Sequence, residues 1–147
     1  MGPLSNIKVL EFSGIGPGPY CGMLLADMGA DVIRIGRKDS EGLENKYDIH
    51  NRSKRSITAD LKNKDTVSEI LKLIEQVDVI FEGFRPGVME KLGLGPDICL
   101  ARNSKLVYGR MTGWGQDGPM SNLAGHDINY ISLSGALNSI GRKDSNP

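Results

Sequence analysis

One of the two histidines of this chain lies in a segment whose composition suits acid–base chemistry. His126 stands between Gly125 and Asp127, and it follows a glycine-rich stretch at residues 112–119 (TGWGQDGP). Glycine lets a backbone approach a ligand closely, and histidine is the side chain whose ordinary pKa suits proton transfer near neutral pH. The segment therefore predicts a group that exchanges protons with a bound ligand, although its spacing alone does not identify the reaction.

Two neighbouring polar residues have competing interpretations. Asp127 either orients the His126 ring or caps the helix predicted at residues 127–137, and we favour the cap because aspartate is a preferred capping residue. His50 lies in the polar, turn-like stretch 36–54, the longest predicted loop. We expect His50 to be a surface residue.

Basic residues are concentrated between positions 34 and 55. They are Arg34, Arg37, Lys38, Lys46, Arg52, Lys54 and Arg55. Lys46 and Lys54 are predicted to belong to a solvated charged face, which is the usual place for lysine. Arg37, and Arg85 further along, are better candidates for binding a phosphorylated ligand because each follows a predicted strand.

The glycines at residues 14–19 (GIGPGP) match a nicotinamide dinucleotide fingerprint only superficially. The third glycine comes one residue too early, and two prolines stiffen the loop and remove amide donors. The second predicted strand is followed by Gly36 and Arg37 rather than by an acid that would hold a ribose hydroxyl. A tight strand-to-helix turn explains part of the pattern, and an NADP site supported by Arg37 is the weaker alternative.

Short apolar runs alternate with helical patterns along the chain. Strands are predicted at residues 7–12, 31–35, 56–60, 77–81 and 106–111, and helices at 19–28, 65–76, 88–92, 97–102 and 127–137. This alternation predicts an α/β fold with an open, Rossmann-like, mostly parallel sheet flanked by helices. Segments 14–18, 36–38, 83–87 and 112–118 each follow a strand, so we expect them to share one site at the carboxyl ends of the strands.

Composition limits the possible classes of function. The 147 residues are enough for one domain with a core, and 18 basic residues balance 18 acidic ones. This balance argues against binding to nucleic acid or to an anionic membrane, and no apolar run is long enough to span a bilayer. The N-terminus does not resemble a signal peptide. Cys21 and Cys99 are predicted to be buried thiols in a reducing compartment.

Several motifs along the chain resemble those of family III CoA-transferases, also called the CaiB/BaiF superfamily. The segment 125–130 (GHDINY) is similar to the α-methylacyl-CoA racemase branch, because transferases usually have another residue at the position of His126. The other motifs are shared more widely, and they are residues 14–19 (GIGPGP), 25–32 (LADMGADV), 59–62 (ADLK), 85–88 (RPGV), 92–96 (LGLGP) and 113–116 (GWGQ).

The resemblance implies a large Rossmann-like domain, a smaller second domain and an interlocked homodimer. Residues 1–147 would be the N-terminal portion of the large, CoA-binding domain, with the small domain absent. The implied partner is an acyl-CoA thioester, in which CoA is part of the substrate, and neither a separate cofactor nor a metal is implied. Bacterial relatives are cytoplasmic, whereas eukaryotic relatives work in peroxisomes and mitochondria.

The resemblance also assigns roles to individual positions. Arg37 and the segment Ala59, Asp60, Leu61 and Lys62 would line the adenosine-phosphate end of CoA. The segment Gly83, Phe84, Arg85, Pro86 and Gly87, with Lys91 nearby, would carry the pantetheine and diphosphate region. His126 would be a catalytic base, and the thioester would be held by Gly125, Asp127, Ile128, Asn129 and Tyr130.

The implied reaction is epimerisation of a 2-methylacyl-CoA thioester by two bases acting through an enolate. His126 would serve one face of the α-carbon, and an aspartate, found in relatives beyond the position of residue 147, would serve the other. We therefore expect these 147 residues to be inactive alone and prone to aggregation. Two alternatives remain open, namely a family III CoA-transferase, whose carboxylate nucleophile would also lie outside this range, and a CoA-binding fragment without turnover.

Overall fold

A computed structural model describes residues 2–37 and 47–142 of the chain. Two residues discussed above, Lys38 and Lys46, lie outside the described residues. The chain divides into two compact units, Met1–Met111 and Thr112–Pro147.

The first unit is built on a parallel sheet, as the alternation of strands and helices predicts. Its strands are β1 (Lys8–Phe12), β2 (Asp31–Gly36), β3 (Arg55–Thr58), β4 (Val79–Glu82) and β5 (Val107–Arg110). Their spatial order is β3-β2-β1-β4-β5, and all four pairs are parallel. This confirms the predicted α/β fold, and it makes β1 and β4 the neighbours at which the winding of the chain changes direction.

Four helices join these strands. They are α1 (Pro17–Asp27), α2 (Lys64–Ile74), α3 (Val88–Lys91) and α4 (Pro96–Arg102). Helix α2 begins at a well-formed cap, where the Asn63 side chain accepts hydrogen bonds from the amides of Asp65 and Thr66. Its apolar positions recur on one face, and Ile70 and Ile74 on that face are buried. A 3-10 turn, Ile49–Asn51, precedes β3.

Both faces of the sheet are covered, and successive residues of the central strand face opposite sides. Leu10 and Phe12 belong to one buried cluster, which includes Ile74, Ile80 and Cys99. Val9 belongs to the other, with Ala26, Ala30, Val32 and Phe81. Because the central strands of a parallel sheet are buried on both faces, they are mostly apolar, and this is why β1 and β4 are recognisable in the sequence.

The described part of the second unit, residues 112–142, has little regular structure. It contains helix α5 (Asp127–Leu133) and a 3-10 turn at Ala136–Ser139. The prediction of one helix through residue 137 was wrong, because Gly135 has a φ of 79° and interrupts it. The predicted strand at residues 56–60 is likewise shorter than expected and ends at Thr58.

Candidate active site

The carboxyl ends of β2 and β3 bring together the first group of predicted ligand residues. The amide of Ala59 donates to the carbonyl of Gly36 at 2.9 Å, so Arg37 and the segment beginning at Ala59 lie side by side. Ala59 is buried, Leu61 is half-buried, and Arg37, Asp60 and Lys62 are exposed. Asp60 holds the turn by accepting the Lys62 amide at 2.9 Å. Two cations are therefore presented next to a backbone turn, which is an arrangement suited to a phosphorylated ligand.

The second group follows β4. Gly87 has a φ of 79° and precedes α3, and the amide of Val88 donates to the carbonyl of Arg85 at 3.1 Å. A left-handed conformation at this position favours glycine. Arg85 and Lys91 are exposed, whereas Phe84 packs against the larger core cluster. The segment 83–87 is thus a tight turn that is anchored by an aromatic ring and presents a cation.

A buried carboxylate fixes this turn from below. Glu82, at the end of β4, is 2% exposed, and its Oε2 accepts the Phe84 amide at 2.6 Å. Its Oε1 accepts a hydrogen bond from Arg110 Nε at 3.4 Å. Burial raises the pKa of Glu82, while the Phe84 amide and Arg110 act in the opposite direction. Neither Glu82 nor Arg110 was among the predicted site residues, although a glutamate ending an apolar strand was a visible signal.

A second buried pair contradicts the prediction that Lys54 lies on a solvated face. The side chain of Lys54 is 1% exposed, and its Nζ donates to Glu11 Oε2 at 2.6 Å and to the Pro19 carbonyl at 2.9 Å. Lys54 is buried because Gly22, which has no side chain, leaves room for the pair beside α1. Burial raises the pKa of Glu11, whose other oxygen has no protein partner. A glutamate within an otherwise apolar strand was again the missed signal.

The two cysteines and His50 differ in how far they are buried. Cys99 is fully buried, as predicted, and burial raises its pKa to about 11. Cys21 is only half-buried, which corrects the prediction of a buried thiol, because it lies on α1 where part of the helix faces outward. His50 is partly exposed, with Nδ1 at 2.9 Å from Asp48 Oδ1.

In the second unit, the glycine-rich stretch packs on the histidine segment. The Trp114 and Tyr130 rings meet edge to face at 5.0 Å, and Trp114 Nε1 donates to the Ala124 carbonyl at 3.3 Å. A Cβ at Gly113 would lie 2.4 Å from Tyr130 Oη, and one at Gly125 would lie 2.7 Å from the same atom. These glycines are required by the close approach of the two segments, which places the loop next to the proposed base.

His126 is exposed at the start of α5. Its amide donates to Asn129 Oδ1 at 2.9 Å, and its carbonyl accepts from the amides of Asn129 and Tyr130. His126 is therefore the capping position, and Asp127 is the first helical residue. The preference for Asp127 as the cap was wrong, and Asp127 instead places a negative charge at the positive end of the helix.

The remaining predicted thioester residues surround this helix start. Ile128 is 56% exposed, Asn129 is exposed, and Tyr130 is half-buried against Trp114. The ring of His126 is thus accessible while its backbone is fixed by Asn129. An accessible imidazole on a fixed backbone can exchange a proton with a ligand held beside it.

Residues 2–37 and 47–142 show neither a metal-binding cluster nor a membrane-spanning helix. In that part of the chain, no group of three or more histidine, cysteine or acidic side chains is arranged to hold a metal. None of the helices described there is long and apolar enough to cross a bilayer.

Comparison with known proteins identifies what the chain is similar to. The profile of CoA-transferase family III matches residues 4–147. The chain is 49% identical over 144 residues to the α-methylacyl-CoA racemase of Mus musculus and 48% identical over 146 residues to that of Homo sapiens. Each match covers 98% of this chain and 37% of the racemase, so the chain spans little more than a third of the length of these relatives.

A solved structure is similar as well. A probable fatty acyl-CoA transferase of Mycobacterium tuberculosis is 34% identical over 158 residues. Its crystal structure matches this chain with a TM-score of 0.88, covering all of this chain and 43% of the crystallised one. The fold described above is therefore one that a solved structure shares over the full length of this chain.

Proposed function

Because this chain belongs to CoA-transferase family III, we propose that it carries the CoA-binding segments and one catalytic base of an enzyme that epimerises 2-methylacyl-CoA thioesters. The observation that carries this proposal is the identity of almost half of the aligned residues to two racemases, which extends over 98% of this chain. The exposed ring of His126 is consistent with it.

The proposed reaction is a proton transfer without net oxidation or reduction. The imidazole of His126 takes the α-hydrogen as a proton, and the electrons of the C–H bond move into an enolate. A second base, an aspartate in relatives, returns a proton to the opposite face of the α-carbon. The amides around Gly125 and Asp127 at the start of α5 are suited to stabilise the enolate oxygen.

We assign the CoA moiety to the side of the sheet where the carboxyl ends of the strands lie. Arg37 and the segment 59–62 would bind the adenosine-phosphate end, since Arg37 and Lys62 present cations there. Residues 83–87 and Lys91 would bind pantetheine and diphosphate, since Arg85 and Lys91 are exposed beside a tight turn. Scattered cations suit the separate phosphates of CoA.

The assembly and cellular location are part of the same proposal. We expect an interlocked homodimer of the longest natural polypeptide that contains these residues, in the cytoplasm of a bacterium or in a peroxisome or mitochondrion of a eukaryote. We expect residues 1–147 on their own not to epimerise a (2R)-methylacyl-CoA, because this range contains only one of the two bases.

Isotope exchange tests the proposal. The longest natural polypeptide is incubated with one 2-methylacyl-CoA in heavy water without any acceptor acid. Deuterium is expected at the α-carbon together with inversion of configuration, because proton removal and return use solvent-exchanged bases. Absence of both exchange and inversion would refute the racemase function.

A family III CoA-transferase is the second candidate. It is favoured by the 34% identity and the close structural match to a probable fatty acyl-CoA transferase. A transferase uses a carboxylate nucleophile and passes CoA to a second acid. Turnover that requires an added carboxylate and leaves the α-hydrogen in place would identify this activity, and CoA binding without either reaction would identify a binding module.

A further inference from the structure

One guanidinium lies between two carboxylates at the ends of β4 and β5. Arg110 pairs with Glu82 in the sheet register, and its Nε donates to Glu82 Oε1 at 3.4 Å. Its Nη2 donates to Oε1 of Glu90 on α3. The guanidinium also lies 5.8 Å from the centre of the Tyr108 ring. Arg110 therefore contacts one element that precedes the 83–87 turn and one that follows it.

The packing keeps Glu90 available for this contact. A Cβ added at Gly95 would lie 2.9 Å from Cγ and 3.1 Å from Cα of Glu90. Tyr108, beneath the guanidinium, donates to the Leu94 carbonyl at 2.8 Å. The neighbours of the cluster are thus held by contacts of their own, which leaves Arg110 as the cation that joins Glu82 to Glu90.

We propose that Arg110 is a positioning residue for CoA binding, which holds the 83–87 turn in its binding conformation by bridging Glu82 and Glu90. The inference rests on the proposed function, which assigns this turn to pantetheine and diphosphate. Removal of Arg110 leaves the buried Glu82 carboxylate without its cation and releases Glu90. Two uncompensated carboxylates then flank a turn that receives an anionic ligand, so CoA binding is weakened by repulsion as well as by loss of order.

The test combines a local and a functional measurement on Arg110→Met. Amide hydrogen exchange at Phe84 reports the turn directly, because that amide donates to Glu82. We expect its exchange to accelerate about tenfold relative to the amide of Leu10 in the central strand. In the longest natural polypeptide, calorimetry with CoA itself is expected to give a Kd about tenfold higher. The matched control is Arg102→Met, which breaks the exposed Arg102–Glu75 pair on α4 and is expected to change neither value.

Two further variants separate positioning from general instability. Glu90→Gln weakens only the contact between Arg110 and Glu90, so it should accelerate exchange of the Phe84 amide by a smaller factor than Arg110→Met does. This variant stays informative if Arg110→Met loosens the whole sheet. Compared with Arg110→Met, Arg110→Lys has the positive charge but cannot donate to Glu82 and Glu90 from one planar group. We therefore expect its CoA affinity to lie between those of Arg110→Met and the wild type. Unchanged Phe84 exchange in both Arg110→Met and Glu90→Gln, or wild-type affinity in Arg110→Lys, overturns the inference. A wild-type protein that binds no CoA would instead refute the proposed function, and the exchange measurement would still decide whether Arg110 holds the turn.

Discussion

His126 is the residue on which the proposed proton transfer depends. Its ring is exposed, while its backbone is fixed by Asn129 through a 2.9 Å hydrogen bond. A side chain that supplies general acid–base catalysis can therefore be removed without removing a packing contact of the core. This separation between ring and backbone allows a sharp mutational test.

His126→Ala in the longest natural polypeptide is expected to lower the rate of epimerisation about 10²–10⁴-fold, the usual contribution of a general base. Binding of a 2-methylacyl-CoA, measured by calorimetry, should be nearly unchanged because the backbone contacts remain. The matched control is His50→Ala, which removes the other histidine and should leave the rate intact. Equal losses of binding and rate in His126→Ala would show that the ring is structural.

The ionisation of Cys99 can be measured as a pH dependence of the free energy of unfolding. Its thiol is fully buried and donates to the Leu94 carbonyl at 3.2 Å, and burial raises its pKa from 9.0 to about 11. Between these two values the native state retains a proton that the unfolded chain loses. The contribution of Cys99 to the free energy of unfolding is therefore constant below pH 9 and falls as the pH rises towards 11.

The expected loss is about 2–3 kcal/mol over these two pH units. It is measured as the difference in unfolding free energy between the wild type and Cys99→Ala, by urea denaturation at several pH values from 8 to 11. Cys99→Val fills more of the space and cannot ionise, so the difference between the wild type and Cys99→Val should change with pH as the difference between the wild type and Cys99→Ala does. Parallel curves for the wild type and both variants would contradict the assigned cause.

At the scale of elements, helix α1 and strand β1 are joined around a buried charge pair. Glu11 lies near the carboxyl end of β1, and Lys54 reaches it from the segment before β3. The pair fits because Gly22 exposes bare backbone at the point where α1 crosses it. A buried ion pair is costly to leave unpaired, so this glycine determines how the helix, the strand and the following segment pack.

Gly22→Ala is expected to lower the free energy of unfolding by about 1–3 kcal/mol, because the added Cβ would lie 2.0 Å from Glu11 Oε2 and 2.8 Å from Lys54 Nζ. Gly18→Ala is the matched control in the same helix, since a Cβ there meets no atom within 4 Å. It should be neutral or slightly stabilising. Urea denaturation monitored by circular dichroism compares the two, and equal effects would exclude the steric explanation.

At the scale of the whole molecule, the two outer strands of the described sheet carry exposed apolar side chains. Val107 on β5 is 61% exposed, and Ile57 on β3 is 44% exposed. Outer strands with apolar side chains and unpaired backbone groups favour association between chains. We therefore retain the expectation that residues 1–147 aggregate when prepared alone.

Val107→Lys is expected to slow the aggregation of residues 1–147 several-fold, because a charged side chain on an outer strand opposes edge-to-edge pairing. Ile98→Lys is the matched control, since it places the same charge at a 43% exposed position on helix α4. Light scattering at equal protein concentration measures both. The same rate reduction in both variants would indicate an effect of net charge rather than of the strand edge.

The sequence by itself determined the parallel α/β fold, because central strands buried on both faces are mostly apolar and the intervening helices show one apolar face. Its motifs also indicated the family, which the comparisons confirm. The predicted boundaries lie within two residues of the observed ones except at the end of α5. There Gly135, with its positive φ, interrupts a helix that the apolar pattern would have continued.

Only the tertiary structure decided which charged residues are buried. Lys54 is surrounded by polar residues in the sequence, yet it is enclosed because an acid on β1 and a glycine on α1 come together around it. In the same way, Arg110 reaches Glu82 and Glu90 because β4 and β5 end side by side. Such burial depends on partners far apart in the chain, so a glutamate within an apolar strand can mark a buried acid but does not identify the cation that pairs with it.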